Sequence, residues 1–374
     1  MLCAEGPVEP QAALSAYLTQ HPPTPADPVH LVFGMRRAAP ALPPVDASFS
    51  VGSFLPGRGL RDVAPLDYHR YSYSEICRNL VDGSFSPDVL IACATPPDST
   101  GTRSLGGVNG YLDLAVRAAE MIVIEEVTWL PRVPGATLVP RADDIVPSDN
   151  RAADKQPHFS ARYDETDLAI ARHILHLIPP DPRLALGIGR VNDALANELA
   201  GRGDVDILTG VVTDGVRAMH DAETLSGQPI RAMSVVGPLD LLRWAEQSGA
   251  VEILPSTQIH DPSWLASHDR FVSVLGAIEV DAVGNVNSER IGDKAVSGRG
   301  GAPDLALGGH DSAGGLSIVA LHSTDRHGRS RLVPEIDDPS VPAARIDAVV
   351  TEKGVAIIAG LDAMNRIAAL TRIF

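Results

Sequence analysis

Residues 276–304 read GAIEVDAVGNVNSERIGDKAVSGRGGAPD and end in a cluster of glycines, Gly298, Gly300 and Gly301. Glycine lacks a Cβ atom, so the backbone there can adopt positive φ and direct consecutive N–H groups at one oxygen. Backbone donors arranged in this way form an oxyanion hole, which stabilises negative charge developing on a carbonyl oxygen. We therefore expect Gly298, Gly300 and Gly301 to present backbone N–H groups to a bound ligand.

Outside this stretch, predicted strands and helices alternate along the chain. Apolar runs predict strands near residues 89–93 and 121–127, and a helix near 112–120 completes a β-α-β unit. Such alternation is typical of parallel sheets with helices on both faces. The glycines of SVVGP and LALGGH are expected to lie in turns. Further strands are predicted near residues 184–186, 205–208, 232–236, 251–254, 271–280, 316–321 and 348–351.

A junction between two domains is expected near residue 150. Residues 131–158 are rich in Pro, Asp and Arg and have little apolar periodicity, which is typical of a connecting segment. The predicted domains are residues 1–150 and residues 151–374, and a chain of 374 residues with 44% hydrophobic content can fill two cores. A helix near residues 165–178 opens the second domain, with Asp164 or Thr166 as its N-cap.

The opening stretch resembles the C-terminal domain of the acetyl-CoA hydrolase/transferase family. This class I CoA-transferase family includes 4-hydroxybutyrate and butyrate CoA-transferases and shows a stretch like IEVDLxGQVNAExIGxxxxSGVGGxxDF. Further motifs follow in the family order, so the resemblance covers about residues 48–374. They are SPDVLIACATPPDSTGTRSLG (86–106), MIVIEEVTWLPR (121–132), LALGIGRVNDAL (184–195), VEILPS (251–256), SRLVPEI (330–336) and VVTEKGVAIIAG (349–360). The resemblance implies two open, mainly parallel α/β domains of the CoA-transferase (NagB/RpiA-like) type, and coenzyme A as the substrate thioester. It also implies that Gly300 and Gly301 act in catalysis by binding the thioester oxygen.

One segment departs from the family pattern. Family transferases carry their nucleophile as a glutamate in a segment like GIHTEMISDG, and the corresponding residues 206–215 read DILTGVVTDG. Gly210 stands where that glutamate is expected. Glycine has no atom that can form the covalent intermediates of CoA transfer, and deleting a catalytic nucleophile costs on the order of a million-fold in turnover. The sequence therefore predicts thioester chemistry without the glutamate, either hydrolysis or retro-Claisen cleavage of a β-keto acyl-CoA.

Two alternatives stay open at this stage. The first is a CoA-transferase that uses a carboxylate from elsewhere in the chain or from a partner subunit. The second is a non-catalytic subunit that binds acyl-CoA. Both retain the predicted partner, an acyl-CoA, and the first adds a carboxylate acceptor. We expect a homo-oligomer or an assembly with a related partner subunit.

Candidate acids come from the predicted strands. Glu279 precedes the glycine cluster and is a candidate general base for water, although a strand glutamate that bonds a neighbouring loop is the alternative. Glu126 ends an apolar strand, and strand ends in open α/β sheets border ligand crevices. Glu352 follows a strand in the same way. Asp214 is expected to help cap a following helix.

Candidate ligand-binding residues are glycines and cations. Gly187 and Gly189 lie between a predicted strand and helix, where backbone amides can face an anion, but close packing of the turn explains them equally well. CoA is polyanionic, so Arg299 within the glycine cluster and Lys294 before it are candidate contacts. Arg190 is a further candidate.

Composition restricts the class of protein. A net charge of −16 argues against a nucleic acid partner. Cys3, Cys77 and Cys93 have neither metal-ligand nor disulfide spacing, so we expect no metal and a cytoplasmic location, with Cys93 as a buried thiol. No apolar run approaches the roughly 20 residues that span a bilayer, so no membrane partner is expected.

Overall fold

The computed structural model describes residues 1–148 and 162–374. The predicted junction at residue 150 lies outside the described residues, so the division there stays a prediction. The described residues form two compact units. The first comprises residues 1–148, 233–257 and 292–300, and the second comprises residues 162–232, 258–291 and 301–374. Among the described residues, no helix combines the length and apolar character that crossing a membrane requires.

The first part of the chain builds a seven-stranded sheet in the order β4-β3-β2-β1-β5-β7-β9. Every pair of neighbours in it is parallel. The elements are β1 (Leu2–Cys3), α1 (Gln11–Gln20), β2 (Val29–Phe33), β3 (Phe49–Ser53), a 3-10 turn (Arg58–Leu60), β4 (Asp67–Tyr68), α2 (Tyr73–Asp82), β5 (Val89–Ala94), β6 (Arg103–Ser104), α3 (Leu112–Ala118), β7 (Met121–Val127), β8 (Leu138–Val139) and β9 (Asp144–Ser148).

Strand periodicity explains how this sheet buries its residues. Alternate residues of β2 and β3, such as Leu31 and Val51, point into a core that also contains Leu14 of α1. β5 is buried along its whole length, as expected for a central parallel strand covered on both faces. Cys93 lies in it as a buried thiol, as predicted, and burial raises its pKa well above the ordinary value.

The rest of the chain builds an eight-stranded sheet in the order β13-β12-β11-β10-β14-β19-β21-β22. The elements are α4 (Glu165–Leu175), β10 (Arg183–Leu186), α5 (Arg190–Glu198), β11 (Asp206–Val212), α6 (Asp214–Asp221), β12 (Ile230–Val235), α7 (Leu239–Gln247), β13 (Val251–Ile253), α8 (Ser256–Ile259), α9 (Pro262–Ala266), β14 (Phe271–Gly276), β15 (Glu279–Asp281), β16 (Val286–Asn287), β17 (Arg290–Ile291), β18 (Lys294–Ala295), α10 (Ala302–Asp311), β19 (Leu316–Ala320), β20 (Leu332–Val333), a 3-10 turn (Ala343–Arg345), β21 (Ala348–Thr351), β22 (Gly354–Ile357) and α11 (Ala363–Thr371).

Two local predictions were wrong. The LALGGH glycines lie inside α10 rather than in a turn, because that helix packs closely: a Cβ on Gly308 would lie 2.6 Å from Leu265 Cβ, and one on Gly309 would lie 2.6 Å from the Leu316 carbonyl oxygen. The strand predicted over residues 271–280 is divided, since β15 leaves the large sheet to pair with β16 and β20. The predicted cap was right, because Asp164 accepts hydrogen bonds from Thr166 N and Asp167 N at the start of α4.

Candidate active site

Four neighbouring strands of the second sheet end at the same edge. β10, β14, β19 and β21 are consecutive and parallel, so their carboxyl ends coincide. The residues that follow each of these strands line one cavity of about 760 Å³. In open α/β sheets, ligands bind in crevices at the carboxyl ends of strands. The fold thus places a ligand-sized cavity where this class of sheet is expected to have one.

A network of ionisable groups around the buried Asp167 lies at one side of the cavity. Asp167 is 1% exposed and accepts from His322 Nε2 at 2.7 Å, while Arg190 Nη2 lies 2.6 Å from its other oxygen. Arg190 also pairs with Asp164. Asp164, Asp167 and His322 have donor atoms within 4.8 Å of one another, as metal ligands do. Because the Arg190 guanidinium contacts both carboxylates, it supplies the positive charge that a metal ion would bring.

Two further arginines line the cavity. Arg326 Nε donates to His327 Nε2 at 3.0 Å, and Arg331 Nη1 donates to the Ala277 carbonyl at 3.5 Å. In the described part of the chain, neither guanidinium forms an ion pair. These two positive charges are therefore available to an anionic ligand.

One carboxylate faces the same cavity. Glu352 accepts hydrogen bonds from the Ser323 amide at 2.9 Å and from the Ser323 hydroxyl. Burial alone would raise the pKa of Glu352, but the two bonds from Ser323 lower it below the ordinary value. Glu352 is consequently ionised at neutral pH.

The start of α5 also opens on the cavity. Gly189 has a φ of +143°, and a Cβ there would meet no atom within 4 Å, so the backbone at this position faces open space. Gly187 lies two residues before Gly189, and its amide donates to the Val274 carbonyl. Asn192 in the first turn is 6% exposed, and its Oδ1 has no hydrogen-bond partner among the described residues. A helix N-terminus with an unpaired acceptor beside it suits a ligand that carries both an anion and an N–H donor.

Gly210 lies on the strand beside this turn. The parallel register pairs Leu184 with Ile207, and the same offset places Gly210 opposite Gly187. A Cβ on Gly210 would lie 3.4 Å from Nε2 of His260. The room into which a longer side chain at position 210 would extend therefore contains the His260 imidazole.

Gly301 approaches the same imidazole from the glycine cluster. It precedes α10, and a Cβ there would lie 2.3 Å from His260 Nε2. No amino acid other than glycine fits at position 301 while the imidazole stays in place. His260 is 1% exposed, and this burial lowers its pKa to about 3, so the ring is neutral at pH 7.

The other predicted residues of the glycine cluster have partners in the first unit. Gly300 has a φ of +52°, as predicted for a glycine that directs backbone groups, and its carbonyl accepts from Tyr73 N at 3.0 Å. Gly298 packs against Phe54, whose carbonyl oxygen would lie 2.3 Å from a Cβ there. Arg299 lies 3.5 Å from Glu75, and Lys294 Nζ donates to the Arg61 carbonyl. Their roles toward CoA stay predictions.

Three of the predicted acids, Glu279, Glu126 and Asp214, are not among the residues that line the cavity. Glu279 on β15 accepts at 3.2 Å from Nδ2 of Asn287, which lies opposite it on the paired strand β16 rather than in a loop. Glu126 at the end of β7 forms an ion pair with Arg103, which is 9% exposed. Asp214 is the first residue of α6, after Thr213 at the N-cap. None of these contacts tests a catalytic role.

Sequence reasoning missed two buried titratable groups. His260 gave no signal, since a single histidine in TQIHDP belongs to no spacing pattern. Glu5 follows β1, a strand of only two residues that no apolar run predicts. It accepts from Met35 N at 2.9 Å and Tyr73 Oη at 3.3 Å. Burial raises its pKa to about 7, against the opposing effect of these two bonds.

Comparison with known proteins finds the same family that the sequence motifs resemble. Residues 237–374 match the acetyl-CoA hydrolase/transferase C-terminal domain. The chain is 30% identical over 320 residues to a 4-hydroxybutyrate coenzyme A transferase of Clostridium kluyveri, covering 82% of this chain and 74% of that protein. It is 28% identical over 329 residues to a butyryl-CoA:acetate CoA-transferase of Anaerostipes caccae, covering 82% and 73%.

Solved structures agree on the fold. RipA from Yersinia pestis matches with a TM-score of 0.84 and 22% identity, covering 100% of this chain and 90% of that one. A 4-hydroxybutyrate CoA-transferase from Porphyromonas gingivalis matches with a TM-score of 0.77 and 23% identity, covering 99% and 89%. The predicted mainly parallel α/β fold of CoA-transferase type is confirmed. The chain belongs to the acetyl-CoA hydrolase/transferase family, whose members are enzymes that act on acyl-CoA thioesters.

Proposed function

We propose that this protein hydrolyses a small acyl-CoA thioester by direct attack of water. The observation that carries the proposal is the pair of glycines around His260. At Gly210, where the family resemblance expects a glutamate nucleophile, the adjacent space holds a buried neutral imidazole. Because glycine has no carboxylate, a glutamyl thioester cannot form at position 210, and attack of water on the bound thioester needs no such group.

The cavity supports binding of the CoA moiety. CoA carries several phosphate charges, and Arg326 and Arg331 offer guanidinium groups without ion-pair partners among the described residues. The α5 N-terminus provides partial positive charge beside them. Asn192 Oδ1 needs a donor, and the amide N–H groups of pantetheine are donors of that kind.

The reaction uses the glycine cluster and one base. Amides at Gly300 and Gly301 are proposed to stabilise the oxyanion formed when water attacks the thioester carbonyl. The C–S bond then breaks, CoA leaves as the thiol after it takes up a proton, and the acyl group leaves as a carboxylic acid. Glu279 is kept as the proposed general base, and His260 as the neutral group that hydrogen-bonds to the water or the carbonyl oxygen. The same oxyanion donors would stabilise an enolate in retro-Claisen cleavage of a β-keto acyl-CoA.

The direct test is release of free thiol from acetyl-, butyryl-, 4-hydroxybutyryl- and succinyl-CoA, with and without a carboxylate acceptor. Hydrolysis gives thiol without an acceptor, whereas transfer gives a new acyl-CoA only with one. Binding of CoA by calorimetry with neither product would show a non-catalytic subunit and overturn the proposal. His260→Gln and Glu279→Gln, compared at matched thermal stability, would then show which side chain the hydrolysis depends on.

CoA transfer is the second candidate function, and the position of Glu352 favours it. This ionised carboxylate lines the cavity, and the named relatives are CoA-transferases. Borohydride added after acyl-CoA reduces a glutamyl thioester and changes the protein mass. A mass shift that is lost in Glu352→Gln would establish transfer in place of hydrolysis.

Restoring the glutamate tests the placement of Gly210. The double variant Gly210→Glu with His260→Ala is expected to gain acceptor-dependent exchange, because it supplies the nucleophile and clears the imidazole from its path. Gly210→Glu alone is expected to gain less, since its carboxylate must displace the ring. A folded double variant with unchanged exchange would contradict the assignment of position 210.

A further inference from the structure

Three polar side chains gather on one face of the first sheet, outside the site described above. They are His30 on β2, Asp67 on β4 and His69 just after β4. His30 and Asp67 are exposed and His69 is half-buried. No sequence pattern predicts the group, because the two histidines are 39 positions apart and have no metal-ligand spacing.

Strand pairing explains why these residues meet. In β2 and β3, His30 lies opposite Ser50, and Val32 lies opposite Gly52. Gly52 in turn lies opposite Asp67 on β4. Side chains two residues apart share a face of a strand, so His30, Gly52, Asp67 and His69 all belong to the face opposite the one that buries Leu31 and Val51.

Glycine at position 52 leaves space between the histidines. A Cβ there would lie 2.5 Å from His69 Nε2 and 3.1 Å from His30 Nε2. A side chain at position 52 would therefore crowd both imidazole rings. The arrangement therefore depends on three neighbouring strands. β2 and β4 carry His30 and Asp67, and β3 leaves space for the rings at Gly52.

The distances fit a metal-ligand set. His30 Nε2 and His69 Nε2 are 3.2 Å apart, and His69 Nε2 is 3.6 Å from Asp67 Oδ2. Ligands at about 2.0–2.1 Å from a tetrahedral zinc ion are separated by roughly 3.3 Å. All three donor atoms lie within 4.8 Å of one another. Two imidazole nitrogens and one carboxylate oxygen thus surround a volume of the size that one ion needs.

The His30 ring also has a second hydrogen bond, as metal-bound histidines usually do. Its Nδ1 lies 2.8 Å from Ser50 Oγ, which fixes the ring orientation and leaves Nε2 toward the other two side chains. A second hydrogen bond of this kind is the usual companion of a metal-bound imidazole. His69 is positioned by its backbone amide, which donates to the Ser53 carbonyl at 3.0 Å, and its ring stacks on Tyr71.

We propose that His30, Asp67 and His69 bind a zinc-class divalent transition-metal ion, with the fourth position open to water. Imidazole ligands favour zinc and its neighbours over magnesium or calcium, which prefer oxygen. The ion would tie β4 at the sheet edge to β2 across β3. The alternative occupant of the same geometry is a proton, shared in an N–H···N bond between the two rings.

The test is zinc titration of chelator-treated protein against a competing chromophoric chelator. The expected result is one saturable site, with X-ray absorption showing N/O ligands at about 2.0–2.1 Å. His30→Ala and His69→Ala are each expected to abolish that site, and Ser50→Ala to weaken it by about 10–100-fold. His21→Ala is the matched control, an exposed histidine of the same unit, and it is expected to bind as the parent does.

Magnesium in excess should not displace the zinc. Because His30 and Asp67 are exposed, the variants are expected to keep the metal-free melting temperature of the parent, which separates loss of ligands from loss of fold. Absence of saturable binding, or equal binding in the parent, His30→Ala and His69→Ala, would leave only the hydrogen-bonded pair and overturn the proposal.

Discussion

Polar side chains at the carboxyl edges of the two sheets have different surroundings. In the first sheet, Glu125 of β7 accepts from the amides of Ala12 and Ala13 at 2.7 and 3.1 Å, so it serves as the N-terminal cap of α1. Glu126 beside it is paired with Arg103. In the second sheet, the corresponding strand ends open on a cavity whose lining includes Arg326 and Arg331, and neither forms an ion pair among the described residues.

We infer that a carboxylate at a strand end is a candidate for a site when it has no ion-pair partner among the described residues. Glu126 and Glu352 are alike in sequence, since each follows an apolar strand. The structure separates them, because an arginine that is 9% exposed neutralises Glu126 whereas Glu352 faces the cavity. We therefore expect substitutions at the first edge to change stability and substitutions at the second edge to change activity.

The largest expected effect is at Gly301 on the second edge. Gly301→Ala places a methyl group only 2.3 Å from His260 Nε2, so either the imidazole or the Gly301 backbone, with its proposed oxyanion donor, must shift. Loss of one oxyanion donor costs about 10²–10³-fold in kcat, and we expect a loss in this range. Thiol release measures it. Gly57→Ala is the control, since its Cβ would meet atoms only at 3.7 Å. Parent-like turnover in a folded Gly301→Ala protein would break the contrast between the two edges.

Glu5 is the exception at the first edge, since burial raises its pKa to about 7 from a model-compound value of 4.5. The folded state then holds a proton that the unfolded state has released, so the free energy of unfolding falls as pH rises from about 4.5 to about 7. By linkage the fall is at most about 3 kcal/mol. Glu5→Gln should remove that fall, as urea unfolding at pH 5 and pH 8 will show. Glu120→Gln, at an exposed glutamate of the same unit, should leave it unchanged. If the pH dependence persists in Glu5→Gln, another group must be responsible.

Glu126→Gln tests whether a carboxylate at the first edge contributes to stability rather than to activity. It leaves the buried Arg103 guanidinium without its counter-charge, although Arg103 Nη1 keeps its bond to the Thr95 carbonyl at 3.1 Å. We expect a loss of about 2 kcal/mol in the free energy of unfolding, with kcat changed less than about twofold. Denaturant unfolding and thiol release measure the two quantities. A large fall in kcat at unchanged stability would restore Glu126 as a catalytic residue.

Sequence reasoning reached the fold because its signals are local. Apolar runs gave β5 and β7, and Asp164 gave the start of α4. It could not reach the site, which depends on strands and loops that are distant in sequence. Gly210 and Gly301 are 91 positions apart, yet both approach His260. The turn assigned to LALGGH failed for a related reason, since those glycines serve helix packing that a local pattern does not show.

The smallest expected effect compares two ways of capping a helix. α1 is capped by Glu125 from a distant strand, whereas α4 is capped by Asp164 at its own start. Asp164→Ala removes bonds to Thr166 N and Asp167 N, and we expect a loss of about 1 kcal/mol. Asp164 also pairs with Arg190, but both side chains are substantially exposed, at 54% and 42%, so that pair contributes little. Asp164→Asn keeps the acceptor and loses the charge, and it should retain most of the stability in denaturant unfolding. Equal losses in Asp164→Ala and Asp164→Asn would show that the charge toward Arg190, rather than the cap, stabilises this end of α4.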